Sequence, residues 1–187
     1  MNFIDYSAMK IARKIRDTYP EAASEKALFY ALSLLLNSAT SFLMTLLICS
    51  ATHHLKEALI TLICFLVLRY FSGGVHLGSS LSCCLFSIVL LTGLAHIDFE
   101  FMYIGFGLNF FSLVIMLLKA PNGIENVSKI DKKYYPFLKL ICVCIVCSNF
   151  IIQSSMLSAI FIVQAVTLTR VGYYLVSMLE GRWRHEA

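Results

Sequence analysis

The chain has 187 residues, of which 59% are apolar and only 14% are charged. Soluble domains average roughly 45–50% apolar and about 25% charged residues, and a core of this size cannot hide such an excess. With a mean hydropathy of +0.79 and a net charge of only +4, the composition excludes a soluble domain and a disordered chain. It predicts an all-α, polytopic membrane protein.

Residues 1–26 predict an amphipathic helix that lies on the inner leaflet of the membrane. Apolar side chains recur at helical spacing, at Ile4, Ala8, Ile11, Ile15 and Tyr19. Most of the basic side chains fall on other faces, at Lys10, Arg13, Lys14 and Arg16. Such a helix suits an anionic lipid surface, although an apolar stripe can also dock a partner helix. The segment is too charged for a cleavable signal peptide.

Six apolar stretches follow, most of them close to the length that crosses a bilayer. They run over residues 27–49, 57–71, 81–97, 101–118, 137–153 and 156–178. We therefore predict one membrane domain with six transmembrane helices over residues 27–178, followed by a short tail, 179–187. The third and fourth stretches are joined by only three residues, which indicates a tight hairpin.

The distribution of Lys and Arg predicts that both termini are cytoplasmic. Basic residues cluster before the first stretch, between the fourth and fifth, and after the sixth, whereas the alternate loops carry almost none. Basic loops stay inside the cell, so an even number of spans fits this pattern best. The link between the second and third stretches then also faces the cytoplasm. The basic linker 119–136, with a Pro121-Asn122-Gly123 turn signal, is interpreted as a solvated loop.

That cytoplasmic link, residues 69–83, breaks the apolar pattern. It contains Arg69, the Gly73-Gly74 pair, His76 and Cys83. Irregular backbone at membrane depth is tolerated only inside protein or beside a wet cavity, and ionisable residues there are candidates for function. We therefore treat this link as the candidate active site.

The spacing of His76 and Cys83 allows a nucleophile–base pair if the chain bends between them. On one straight helix they would be separated by about 10.5 Å of rise, which exceeds hydrogen-bonding reach. Gly78 permits a bend, and either Ser79 or Ser80 can cap a helix that starts there. Near a helix N-terminus the reactive thiolate is favoured. Histidines and free cysteines also occur as purely structural residues.

The neighbouring residues suggest supporting roles. The N–H groups of Gly73 and Gly74, uncrowded by side chains, are candidate oxyanion donors, and Arg69 can hold a substrate carboxylate or pair with lipid headgroups. Other clusters are less promising. The cysteines of the fifth stretch spread around the helix, and we predict no metal site, no cofactor and no nucleic-acid partner.

The set Arg69-x-x-x-Gly73-Gly74-x-His76, followed by Cys83, resembles the accessory gene regulator B (AgrB) family. These proteins are integral-membrane cysteine endopeptidases of peptide quorum sensing. The resemblance extends to length, six spans, the amphipathic N-terminal segment and an Ala120-Pro121 pair that opens a basic loop. It departs in that Lys132-Lys133 is not followed directly by proline, since Pro136 comes later.

This resemblance implies that His76 and Cys83 are catalytic and that Arg69 and Gly74 occupy positions tied to activity. The implied substrate is an AgrD-like propeptide with an amphipathic leader and an acidic C-terminal tail. Cys83 would expel the tail and form a peptidyl thioester, which a Cys or Ser of the peptide attacks to give a thiolactone or lactone. Cys84 is a weaker second candidate nucleophile.

Two other classes of function are kept as alternatives. A small transporter would use Arg69 and His76 in its substrate path, and a structural membrane subunit would tolerate replacement of both. We also expect contact with membrane lipids and a homodimer, because six short helices enclose a wet chamber better with a partner.

Overall fold

The computed structural model describes residues 2–75, 79–123 and 131–179. Within these ranges the chain is helical, without a β-strand, which confirms the predicted all-α fold. The helices are α1 (Phe3–Thr18), α2 (Glu25–Ala51), α3 (Leu55–Ser72), α4 (Ser80–Ala95), α5 (Phe106–Lys119), α6 (Tyr135–Ile152), α7 (Ser155–Val166) and α8 (Arg170–Leu179). A π-helical turn, Phe101–Gly105, leads into α5, and a 3-10 turn, Lys132–Tyr134, leads into α6.

Several of these helices are suited to cross a membrane. By length and composition, three segments of the described chain qualify, namely Glu25–Ala51, Phe101–Lys119 and Lys132–Ile152. The bent pair formed by α7 and α8 makes a fourth, and α4 is apolar but shorter. The protein is therefore a polytopic membrane protein, while the full number of six spans stays a prediction.

The predicted sixth span, 156–178, is wrong as a single helix. α7 and α8 meet at an angle of 81°. Thr169 starts the second helix, because its hydroxyl accepts a hydrogen bond from the Gly172 N–H at 3.3 Å in the manner of an N-cap. A Cβ at Gly172 would overlap the backbone of Val166 and Thr167. Glycine therefore lets α8 fold back against the end of α7.

α7 is the central helix of the bundle. It is apolar on nearly all sides, and most of its residues are buried, as expected for a helix without a solvent face. It packs against α3, α4, α5 and α6. The main core contains Leu68, Leu94, Met116, Ala120, Cys142, Val146, Leu157, Ala159, Ile160, Phe161, Ala165 and Leu168.

The N-terminal helix α1 is docked on the bundle. Ile4, Ala8 and Ala12 are buried, and α1 packs mainly on α2. Ile11 and Tyr19, which the helical spacing had placed on the same stripe, are exposed. α1 thus buries a narrower face than predicted and leaves other apolar side chains available to lipid.

Helices α2 and α4 run parallel and in contact. The Ser41 hydroxyl lies 3.3 Å from the Cys84 carbonyl oxygen and 3.4 Å from its sulfur. Near the other ends of the same helices, the Thr52 hydroxyl lies 2.8 Å from Nε2 of His96. These two contacts fix the register of the pair, and polar or small residues line the buried face of α2 at Ser33, Asn37, Ser41, Thr45 and Cys49.

A buried amide network joins α5, α6 and α7. Nδ2 of Asn149 lies 3.3 Å from Oδ1 of Asn109, 2.9 Å from the Ser158 hydroxyl and 3.0 Å from the Ser154 carbonyl. Its Oδ1 accepts from the Ser154 N–H at 2.9 Å. One side chain therefore caps the turn between α6 and α7 and ties both helices to α5.

Replacing Asn149 by Leu is expected to lower the free energy of unfolding by about 1–3 kcal/mol, because buried partners lose their hydrogen bonds. Thermal unfolding in detergent measures this change. Ser148→Ala is the matched control, since the exposed Ser148 hydroxyl bonds only to its own helix at Ile145. Equal midpoints for the two variants would show that the network contributes no stability.

Candidate functional site

A cavity of about 780 Å³ lies between α2, α3, α4, α7 and α8. Its wall is mainly apolar, with aromatic side chains from α2, α3 and α4. A few polar or reactive side chains interrupt this wall, namely Asn37, Ser38, Ser41, Arg69, Cys83, Ser87 and Thr167. Such a cavity, mostly apolar with a few convergent polar groups, is typical of a binding or active site.

Cys83 lies in the wall of this cavity, near the start of α4. Ser79 is the N-cap, with its hydroxyl 3.5 Å from the Ser82 N–H. Of the two caps left open by the sequence, Ser79 is therefore correct. Ser80 instead donates to Oδ1 of Asp5 at 2.7 Å, which ties the start of α4 to α1. Cys83 thus sits in the first turn of α4, at the positive end of the helix dipole.

The two adjacent cysteines have different surroundings. The Cys83 side chain is half-buried and faces the cavity. Cys84 is buried, with 3% of its surface exposed, and its sulfur accepts from the Ser41 hydroxyl of α2. Of the two, only Cys83 is presented to a molecule in the cavity.

The glycine segment, defined as residues Ser72 to Val75, leaves α3 in an unusual conformation. Gly73 and Gly74 have φ angles of +74° and +124°, which side chains with a Cβ rarely adopt. The turn after α5 pairs with this segment: the Gly74 N–H donates to the Asn122 carbonyl at 2.9 Å, and the Asn122 N–H donates to the Ser72 carbonyl at 2.9 Å.

The end of α7 holds the same segment from the other side. Nε2 of Gln164 donates to the Ser72 hydroxyl at 2.8 Å and to the Gly73 carbonyl at 2.7 Å. The Val75 N–H donates to the Thr167 carbonyl at 3.2 Å. The glycine segment is therefore clamped between the α5–α6 connection and α7.

Arg69 completes this clamp from within α3. Its Nη2 donates to the Val75 carbonyl, and its Nη1 donates to the Thr167 hydroxyl at 3.3 Å. The guanidinium also lies within electrostatic range of Cys83. Because the Arg69 guanidinium is hydrogen-bonded inside the protein, a positioning role fits it better than the predicted binding of a substrate carboxylate.

The predicted site residues thus separate into three groups. Arg69, Gly73, Gly74 and Cys83 all line one cavity, whereas Ser80 contacts α1. His76 lies outside the described residues, directly after Val75 in the chain. The N–H groups of both glycines already donate to carbonyls, Gly73 to Arg69 and Gly74 to Asn122.

Sequence reasoning missed Asn122, Gln164 and Thr167. The linker 119–136 was interpreted as solvated, but its first residues pair with the glycine segment. Gln164 carried a usable signal, because a buried amide within an apolar helix needs a partner. Asn122 lies in a recognisable turn, yet its sequence does not reveal what the turn contacts.

Of the histidines and cysteines that the structure describes, those other than Cys83 do not line the cavity. His96 stacks with His54 at 4.3 Å, at the end of α4 opposite Cys83. Cys142, Cys144 and Cys147 differ in exposure from buried to exposed, so they do not share a face of α6. In the part of the chain that the structure describes, no group of three or more His, Cys, Asp or Glu residues is placed to hold a metal ion.

A family model described as accessory gene regulator B matches residues 7–178, nearly the whole chain. The chain belongs to the AgrB family. Comparison with curated proteins and with solved structures found no match. AgrB membership implies a part in processing the signal peptide of accessory gene regulator quorum sensing.

For this AgrB protein, Gly74→Ala is expected to lower the free energy of unfolding by about 1–3 kcal/mol, because of backbone strain. A Cβ there would lie 2.5 Å from both Nη1 of Arg69 and the Thr167 hydroxyl, so the clamp would have to open. Thermal unfolding measures the loss. Gly93→Ala in α4 is the control, since a Cβ there has no atom within 4 Å; equal destabilisation of both variants would contradict the clamp.

Proposed function

We propose that this protein is a membrane cysteine endopeptidase with His76 and Cys83 as its catalytic pair. It cleaves the C-terminal tail from an AgrD-like propeptide and closes the remaining peptide into a thiolactone or lactone. The observation that carries this proposal is the position of Cys83 in the wall of an apolar cavity, across from the clamped glycine segment.

The clamp supports a pairing of His76 with Cys83. Val75 lines the cavity, and its N–H and carbonyl are both hydrogen-bonded, to Thr167 and to Arg69. His76 is the next residue, one peptide unit of about 3.8 Å further along the chain. The backbone that precedes the proposed base is therefore fixed at the cavity that contains the proposed nucleophile.

The proposed reaction has two steps. The His76 imidazole takes the proton of the Cys83 thiol, the sulfur attacks a peptide carbonyl, and the imidazolium returns the proton to the departing amine of the tail. A thiol or hydroxyl of the bound peptide then attacks the thioester, which forms the ring and releases the Cys83 thiol. The positive end of the α4 dipole and the Arg69 guanidinium both lie near the Cys83 sulfur.

The apolar cavity wall suits the second step. A thioester lies uphill of the peptide bond, and exposure to water would hydrolyse it before a ring could form. Side chains such as Phe65, Phe86 and Leu90 line the cavity and limit water around Cys83. This favours attack by the bound peptide over attack by water.

The setting of the reaction is proposed from charge distribution. Both termini and the catalytic pair face the cytoplasm, where a thiol stays reduced. The propeptide leader and α1 both contact the inner leaflet of the cell membrane. The protein acts there as a homodimer. In this scheme the propeptide is the substrate and lipids are the surrounding partners.

The transporter alternative is less well supported. It places Arg69 in a substrate path, but the Arg69 guanidinium is bonded to Val75 and Thr167. A transporter would also retain its activity after loss of the Cys83 sulfur, which gives a direct way to separate the two functions.

Cys83→Ala is expected to reduce tail release at least about 10³-fold, because the nucleophile is lost. The substrate is a synthetic AgrD-like propeptide with an amphipathic leader, a central cysteine or serine and an acidic tail. It is incubated with the protein in lipid vesicles, and the released tail and the acyl adduct on the protein are measured by mass spectrometry.

Cys84→Ala is the matched control and should process the propeptide at nearly the wild-type rate, because Cys84 faces Ser41 and not the cavity. Normal tail release by Cys83→Ala, or an acyl adduct on Cys84, would refute the assignment of the nucleophile.

A further inference from the structure

The proposed cleavage needs a hydrogen-bond donor for the oxygen of its tetrahedral intermediate, and the glycine segment does not supply a free one. Its backbone N–H groups at residues 73, 74 and 75 already donate to the carbonyls of Arg69, Asn122 and Thr167, at 2.9, 2.9 and 3.2 Å. The first of these bonds closes the end of α3, and the other two belong to the clamp, so using one of them for the oxyanion would loosen the segment.

Two backbone N–H groups next to the nucleophile are also engaged. The Cys83 N–H donates to the Ser79 carbonyl at 2.9 Å within the first turn of α4. The Ser82 N–H faces the Ser79 hydroxyl. A side-chain donor in the cavity wall could reach the oxyanion without breaking any of these bonds.

Asn37 of α2 has the properties that such a donor requires. Its side chain lines the same cavity as Cys83, and only 9% of the residue is exposed. Among the described residues its carboxamide makes no hydrogen bond, and Oδ1 is buried without a partner. An unpaired buried amide is unfavourable by about 1–3 kcal/mol. The Nδ2 hydrogens of Asn37 are free to donate to an acceptor in the cavity, and Oδ1 can accept from an N–H of a bound peptide.

The register of α2 against α4 places Asn37 within one helical turn of the level of Cys83. Ser41 contacts Cys84, and Thr52 contacts His96, so the two helices advance together. Asn37 lies one turn, about 5.4 Å, before Ser41. Cys83 lies one residue, about 1.5 Å, before Cys84, so the two levels differ by about 4 Å along the helix axes.

We propose that the Asn37 carboxamide is a catalytic residue that donates a hydrogen bond to the oxyanion formed at Cys83. This inference rests on the proposed endopeptidase function. When the Cys83 sulfur bonds to the scissile carbonyl carbon, the π electron pair moves onto oxygen and Nδ2 of Asn37 donates to it. When the oxygen re-forms its double bond, the carbon–nitrogen bond breaks and the departing amine takes its proton from the imidazolium.

The test measures single-turnover formation of the thioester by the full-length protein in lipid vesicles, with the same propeptide. Asn37→Ala is expected to slow this step by about 10²–10³-fold, as for loss of one oxyanion donor elsewhere. Asn37→Asp should be slowed at least as much, because a carboxylate of nearly equal size accepts hydrogen bonds and repels the oxyanion.

Binding of the propeptide separates catalysis from substrate affinity. In a Cys83→Ala background, adding Asn37→Ala should change the dissociation constant of the propeptide by no more than about threefold, because the donor acts on the transition state. Ser33→Ala is the matched control, because Ser33 lies one turn earlier on the buried face of α2 and has an unpaired hydroxyl but does not line the cavity; it should retain the wild-type rate. If Asn37→Ala lowers the midpoint of thermal unfolding so far that the variant is not folded under the assay conditions, Asn37→Ser replaces it.

The outcomes are distinct. Equal thioester formation by Asn37→Ala and Ser33→Ala would overturn the role of Asn37, and so would a loss explained by weaker propeptide binding. If the wild-type protein forms no thioester that depends on Cys83, the proposed function itself fails, and the Asn37 role fails with it.

Discussion

The clamp on the glycine segment is the interaction on which the rest of the site depends. α3 ends at Ser72, and the next three residues make hydrogen bonds to the α5–α6 connection and to the end of α7. Without these bonds, the peptide groups of this irregular segment would lack hydrogen-bond partners, which is unfavourable at membrane depth. With them, the chain leaves α3 along a defined path beside the cavity.

The bend between α7 and α8 belongs to the same arrangement. Thr167 lies at the end of α7, where its carbonyl accepts from the Val75 N–H and its hydroxyl accepts from Arg69. A helix that continued straight through this point would keep the Thr167 carbonyl for its own hydrogen bonds. The break therefore supplies a backbone acceptor to the glycine segment, and α8 adds a wall to the cavity.

The helical elements were largely predictable, because long apolar runs identify helices with little regard to tertiary contacts. The predicted stretch 27–49 corresponds to α2, and 137–153 corresponds to α6, with ends displaced by one or two residues. The bend within the sixth stretch was missed, because hydropathy is averaged along the chain and does not detect a change of direction between two apolar segments. The predicted buried stripe of α1 was partly wrong. Ile11 has the helical spacing of the stripe, but its side chain is exposed because no other helix packs on it.

The candidate site was predictable only in its local part. Arg69, the two glycines and Cys83 lie close together in sequence, and they line one cavity. Their partners Asn122 and Gln164 come from distant parts of the chain, and nothing local indicates which backbone groups they bind. The same holds for Asn37, because its position relative to Cys83 depends on the register of α2 against α4.

The central claim is that the clamped segment brings the side chain of residue 76 to Cys83. A cross-linking measurement tests this directly in a chain whose six other cysteines are replaced and which carries His76→Cys. Treated in vesicles with a short bifunctional methanethiosulfonate, residues 76 and 83 should form an intramolecular link that mass spectrometry detects. Separate labelling of both thiols, with no link between them, would contradict the account.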